Sequence, residues 1–171
     1  MPYRHIILRV PDTPDFPAMA GILYQCWNEA YRGIVNDIYL DGLSMDGLLE
    51  RLLQNRVSCR FLAAEIDGDI AGFCRYSLPQ EGKEGAVSEL YVSTKFRRRG
   101  VGRALLNAAA EDFRQLGLQS MILGCFEANH SARTFYEKAG GDAVYVQNIL
   151  IGGQPYSAVF YRFSTGSQAV L

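Results

Sequence analysis

The side chains best suited to chemistry sit in one run, Glu89-Leu90-Tyr91-Val92-Ser93-Thr94-Lys95-Phe96-Arg97-Arg98-Arg99-Gly100-Val101-Gly102-Arg103. Two glycines, Gly100 and Gly102, lie among Arg97, Arg98, Arg99 and Arg103, just where strand-like patterning gives way to helical patterning. Glycine lets a backbone turn sharply and leaves amide N–H groups unscreened by a Cβ. The first turn of a helix has no internal partners for those groups, and its dipole end is positive. Such an end binds phosphate, and arginines add charge around it. A diphosphate ligand follows. Two other phosphate loops are excluded by spacing. A dinucleotide fingerprint needs a third glycine where this chain has Leu105, and a triphosphate loop needs Gly-Lys-Ser/Thr where it has Gly102-Arg103-Ala104.

A second run follows downstream, Asn129-His130-Ser131-Ala132-Arg133-Thr134-Phe135-Tyr136-Glu137-Lys138-Ala139-Gly140. Together the runs resemble the GNAT acyltransferase superfamily, whose Arg/Gln-x-x-Gly-x-Gly/Ala signature is matched from Arg97 to Gly102. The resemblance implies an N-acetyltransferase that uses acetyl-CoA as cosubstrate, with no metal, and moves the acyl group directly to an amine. It implies that Arg97–Arg103, with Gly100, Val101 and Gly102, hold the pyrophosphate. The backbone of Leu90, Tyr91 and Val92 would bond the pantetheine arm, and an N–H near Val92 would polarise the thioester carbonyl. Tyr136 matches the family tyrosine beside the cofactor sulfur, a proton donor to the leaving thiolate; a core aromatic is the alternative. Asn129 is a helix cap, a pantetheine contact, or both.

An attacking amine must be neutral, which calls for a base when the acceptor resembles lysine. Glu89, on the strand leading to the site, is the best-placed carboxylate; it serves equally well as an ion-paired structural group. Protein N-terminal acetyltransferases of the superfamily often carry a catalytic glutamate where this chain has Gly124, which favours a small-molecule amine over a protein terminus or lysine. Trp27-Asn28-Glu29-Ala30-Tyr31-Arg32 resembles a stretch that lines the acceptor pocket in one subgroup, so Trp27, Tyr31 and Arg32 are expected to bind substrate or simply to pack. The rival of another class is an acyl-CoA-binding regulatory module without catalysis, separable by CoA release on an amine panel.

These residues must be held by a sizeable core, and 171 residues suffice for one domain. Hydrophobic residues make up 49% and charged residues 20%, with a net charge of −1, so neither a nucleic-acid partner nor a membrane is expected. No signal-peptide pattern opens the chain, and Cys26, Cys59, Cys74 and Cys125 have no paired spacing, which points to reduced core thiols of a cytoplasmic protein. With His5 and His130 they form no metal constellation.

The order of elements is mixed α/β. Tyr3–Val10 reads as a strand, and a helix starts near Pro17 with apolar Ile22, Leu23, Cys26 and Trp27. A helix spans Ser44–Asn55. Strands Arg60–Ile66 and Ile70–Ser77 flank an Asp67-Gly68 turn, and Leu78–Gly85 is a polar loop. The central strand carries Leu90 and Val92 on one face and Glu89 and Tyr91 on the other. Helix 101–116, strand Ser120–Cys125, helix Asn129–Ala139 and a hairpin of Ala143–Ile151 with Tyr156–Phe163 complete one domain. On the last helix Ala132, Phe135 and Ala139 are assigned to the core and Tyr136 to its edge. The tail Ser164–Leu171 is expected to be loose, and the exposed hairpin invites a homodimer. A helix joining the central strand to Ser120–Cys125 requires a parallel pair. By resemblance that pair splays within a mostly antiparallel sheet flanked by helices, and the thioester enters the gap.

Overall fold

The computed structural model describes residues 5–82 and 84–166. Seven strands form one sheet in the order β1-β2-β3-β4-β5-β7-β6. They are β1 (Ile7–Arg9), β2 (Arg60–Ile66), β3 (Asp69–Ser77), β4 (Glu84–Val92), β5 (Ser120–Phe126), β6 (Asp142–Ile151) and β7 (Gln154–Ser164). All neighbours are antiparallel except β4 and β5, which run parallel through the crossover helix. Helices are α1 (Phe16–Ala30), α2 (Asp37–Asp41), α3 (Met45–Asn55), α4 (Val101–Gln115) and α5 (His130–Lys138).

Alternation along β4 divides the interior in two. Val87, Leu90 and Val92 pack with Val101, Leu105, Ala109 and Phe113 of α4 and with Tyr136 of α5. Tyr91 turns the other way, into a second cluster built on Phe16, Leu23, Cys26 and Trp27 of α1 and Leu48 and Leu52 of α3. Local chemistry explains the boundaries. Asp67 and Gly68 both adopt positive φ, 53° and 83°, as a two-residue hairpin turn requires. Ser44 caps α3 through a bond from the Gly47 amide, and Asn129 caps α5 through one from Ala132.

Several expectations need correction. The first strand is confined to Ile7–Arg9, because β2 pairs with it only there and Pro11 follows; Tyr3 and Arg4 lie outside the described residues. Glu84 and Gly85 belong to β4, paired with Ser120 and Met121, rather than to the polar loop. α2 has no expected counterpart, because five residues are too few to show a helical period, although Asn36 caps them. The stretch after Phe163 begins tied down: Ser164 ends β7, and Thr165 bonds the carbonyls of Gln119 and Leu118. Residues 167–171 lie outside the described residues. On α5 the order is reversed, with Tyr136 buried and Phe135 half-buried. β6 is an edge strand exposing Val144, Tyr145, Val146 and Leu150.

Candidate active site

The parallel ladder is short. β4 and β5 pair from Glu84–Ser120 to Val87–Leu123 and no further. Beyond that point β5 follows β7 to Phe126 and β4 follows β3 to Val92, so the two strands part. The cause is a bulge. Tyr76 of β3 faces Val87 and Arg75 faces Glu89, leaving Ser88 as an extra residue that bends β4. From Glu89 onward the β5-facing backbone groups of β4 have no strand to bond, and buried backbone groups require a partner.

The first turn of α4 lies just past the end of β4. Its N-cap is Gly100 at φ 81°, a left-handed conformation that glycine adopts without strain, and no side chain caps the turn. α2, α3 and α5 each begin on a capping side chain, whereas α4, like α1, has none, which leaves its first-turn amides for an anion. Arg98 also has positive φ, 59°; such strain in a residue with a Cβ is characteristic of functional loops. Arg98 and Arg99 enter no ion pair among the described residues, Arg99 resting 5.6 Å from the Phe96 ring centroid. Arg97 reaches Glu29 at 3.4 Å, and Arg103 donates to the Lys138 carbonyl at 3.3 Å. Gly102 has a packing reason beside the one its motif suggests. A Cβ there would lie 3.2 Å from Phe135 Cζ and 3.6 Å from a Val92 methyl, so this glycine also makes room for α5.

Tyr136 stands beside the gap. Its ring contacts Phe135, Tyr161 and Phe163, with centroids 5.3, 5.6 and 6.4 Å away. Burial pushes its phenol well above the ordinary value, with Cys125, Tyr31 and Tyr161 adding to the shift. Among the described residues its hydroxyl meets no hydrogen-bond partner. Burial likewise pushes the Cys125 thiol up to about 11.

On the opposite face, aromatic rings converge. Trp27 Nε1 donates to the Tyr91 hydroxyl at 2.9 Å, and the Tyr31 and Tyr91 hydroxyls lie 3.4 Å apart. Tyr31 meets Phe126 edge-on at 4.7 Å, Phe126 meets Tyr156 at 5.9 Å, and Tyr39 lies 6.0 Å from Trp27. The β6–β7 hairpin is fastened here, since the Asn36 amide donates to the Tyr156 hydroxyl at 3.0 Å. Burial raises the Tyr31 phenol to about 12. Arg32 does not join this group: it is exposed and tied to Asp37, Asp41 and Asn28, bracing α1 against α2.

Glu89 lies beneath the rings, with both oxygens engaged. Arg51 Nη2 donates to Oε1 at 3.0 Å and Arg75 Nε donates to Oε2 at 3.1 Å. Two of the carboxylate's lone-pair positions remain. Neither arginine was singled out in the sequence. Arg75 is the direct cross-strand neighbour of Glu89, a pairing that depends on register and bulge. Arg51 had a signal, a cation three residues after Leu48 and one before Leu52 on a leucine-faced helix. Gly124 also acquires a packing reason, since a Cβ there would fall 2.8 Å from the Phe160 ring across the β5–β7 pair.

A mixed sheet whose parallel strands part beside an uncapped, arginine-ringed helix start defines a class of acyl-CoA-dependent transferases. The chain belongs to that class's Acetyltransferase (GNAT) family, whose model matches residues 21–141, and is an acyl-CoA-dependent N-acetyltransferase. An uncharacterized N-acetyltransferase of Bacillus subtilis (strain 168) is 27% identical over 151 residues, covering 86% of this chain and 87% of its own. A probable N-acetyltransferase of Mycobacterium tuberculosis is 30% identical over 139 residues, 78% of each chain. In fold, the chain is similar to the PaiA N-acetyltransferase of Thermoplasma acidophilum in complex with coenzyme A. The TM-score is 0.70 and the identity 19%, over 90% of this chain and 98% of that one. Among the described residues no cluster of His, Cys, Asp and Glu could hold a metal ion, and no helix is long and apolar enough to cross a membrane.

Proposed function

We propose that this protein moves an acetyl group from acetyl-CoA directly to the amine of a small molecule. The observation that carries this reading is the parting of β4 from β5 after Val87 and Leu123, with Tyr136 buried beside the opening. The α4 first turn, with Arg98 and Arg99, holds the pyrophosphate. The free edge of β4 at Leu90, Tyr91 and Val92 bonds the pantetheine amides in strand fashion, and a β4 N–H polarises the thioester carbonyl. Asn129, its Oδ1 occupied by the α5 cap, keeps its amide N–H₂ for the same arm.

The amine enters from the aromatic side, between Trp27, Tyr31 and Tyr91. Glu89 receives its proton through the lone pairs that Arg51 and Arg75 leave open. Tyr136 keeps its own proton at every physiological pH and donates a hydrogen bond to the departing sulfur. Full proton transfer follows only because the same dry surroundings make a thiolate more basic too. Direct attack is favoured over an acyl-cysteine, because a thiol held near 11 is rarely ionised. A small acceptor is favoured by the ring of Tyr39, Phe126 and Tyr156, closed by the pinned hairpin.

The test is CoA release from acetyl-CoA across a panel of small amines and of peptides with free N-termini. Release driven by small amines alone supports the reading. Release driven only by peptides moves the chain to protein acetylation, and release by nothing above hydrolysis leaves a binding module.

A further inference from the structure

We propose that Arg51 reads a carboxylate on the acceptor, so that the preferred substrates are amines carrying an anionic group a few bonds from the nitrogen, as amino acids do. The inference rests on the acyl-transfer reading above and narrows its substrate class. Three groups share the charge beneath the aromatic ring: one carboxylate, Glu89, and two guanidiniums, Arg51 and Arg75. One positive charge is left over.

Arg51 is the one open to a ligand, its side chain 36% exposed. Arg75 is 17% exposed, with its Nε on Glu89 and its Nη1 3.7 Å from the Cys59 sulfur. The Arg51 side chain makes a single hydrogen bond among the described residues, to Glu89, and its Nε is buried without one. The Nε is sealed from solvent, so the groups a ligand can reach are the remaining Nη N–H groups of this partly exposed side chain. The guanidinium lies 5.9 Å from the Trp27 ring centroid, on the acceptor side of β4. Other charges nearby are matched locally, Arg97 with Glu29 and Arg32 with Asp37 and Asp41. A carboxylate is the natural partner of a guanidinium with free N–H groups. Because Arg51 and the proton acceptor Glu89 touch each other, the substrate's carboxylate and amine must also be close. A second ammonium, as in a polyamine, would meet like charge there.

The test compares wild-type kcat/KM, by thiol release at saturating acetyl-CoA, for the twenty amino acids, their amides, the corresponding decarboxylated amines and spermidine. An amide lowers the basicity of the amine and decarboxylation raises it, so a preference for the acid over both reports the carboxylate itself. At least one amino acid should exceed both of its partners by roughly tenfold or more, the worth of a charge-assisted hydrogen bond. Within Arg51→Gln that ratio should collapse through KM, and within Arg51→Lys it should persist in part. Amides or decarboxylated amines that match the acids in the wild type overturn the inference while leaving acyl transfer intact, as does an undiminished ratio in Arg51→Gln. CoA release by no amine of any kind overturns both. The wild-type comparison decides even if Arg51→Gln does not fold.

Discussion

Glu89→Gln separates two roles that coincide in one side chain. The substitution keeps the shape and removes the charge, and a glutamine can accept from one guanidinium while its NH₂ opposes the other. The Glu89 side chain is 7% exposed, Arg75 17% and Arg51 36%. Removing one partner of a buried ion pair costs about 3–5 kcal/mol, and the exposure of Arg51 argues for the lower end. For a domain of this size about 3 kcal/mol lowers Tm by roughly 6–12 °C. If Glu89 also takes the amine proton, turnover at neutral pH should fall by about 10²–10⁴ and recover as rising pH supplies free amine. Scanning fluorimetry and a pH–rate profile on the folded mutant read the two effects independently. A Tm within a degree or so of wild type would refute the ion-pair argument. A profile of unchanged shape and height would remove Glu89 from the chemistry.

Tyr136→Phe should leave stability within about 1 kcal/mol, since no internal hydrogen bond is lost, and should lower turnover by about 10²–10⁴; a mutant that melts early but turns over normally would return Tyr136 to the core. Gly102→Ala should weaken acetyl-CoA binding, because a methyl 3.2 Å from Phe135 Cζ forces the first turn of α4 or its neighbour α5 to shift, and Gly100→Ala, which forces a left-handed alanine at about 1–2 kcal/mol, should weaken it too; calorimetric titration showing wild-type affinity in both would refute the diphosphate site. The Glu84 carboxyl is held below its ordinary 4.5 by its bond from Arg162, then by Ser120, and Asp15 is held below 3.8 by Arg9. Their stabilisation is therefore complete above those ordinary values and lost as pH falls through the lowered ones. Glu84→Gln should flatten the acid limb of a urea-midpoint series run from about pH 7 to about pH 3, and an unchanged limb would deny Glu84 that part.

Most elements were legible because each carries its own local signal: Asp67-Gly68 for a turn, Ser44 and Asn129 for caps, and the Val101–Phe113 stripe for a core helix. The phosphate end was legible for the same reason, since Arg97 to Gly102 is contiguous. What escaped depends on residues distant in sequence. Gly102 has a packing role that nothing local reveals, since Phe135 comes to rest on it only in the fold. Tyr136 looked like an edge residue because α5 is short. Its inner side is set by Tyr161 and Phe163 of β7, partners that no period on α5 encodes. Arg75 could be paired with Glu89 only by someone who already knew the register of β3.

One extra residue ties the fold to the site. In a regular strand Val87, Glu89 and Tyr91 would share a face. Val87 packs in the α4 cluster, so a straight β4 would turn a carboxylate into that apolar core, away from Arg51 and Arg75. The Ser88 bulge shifts the alternation by one, the change that reverses which face each later side chain takes. Leu90 and Val92 therefore continue the α4 cluster, while Glu89 and Tyr91 turn toward Arg51, Arg75 and Trp27. The same insertion bends β4 off the line of β5, which is why the parallel ladder stops at Val87. Opening the gap and aiming a carboxylate beneath it are thus a single structural event. A change that straightens β4 cannot abolish one without the other.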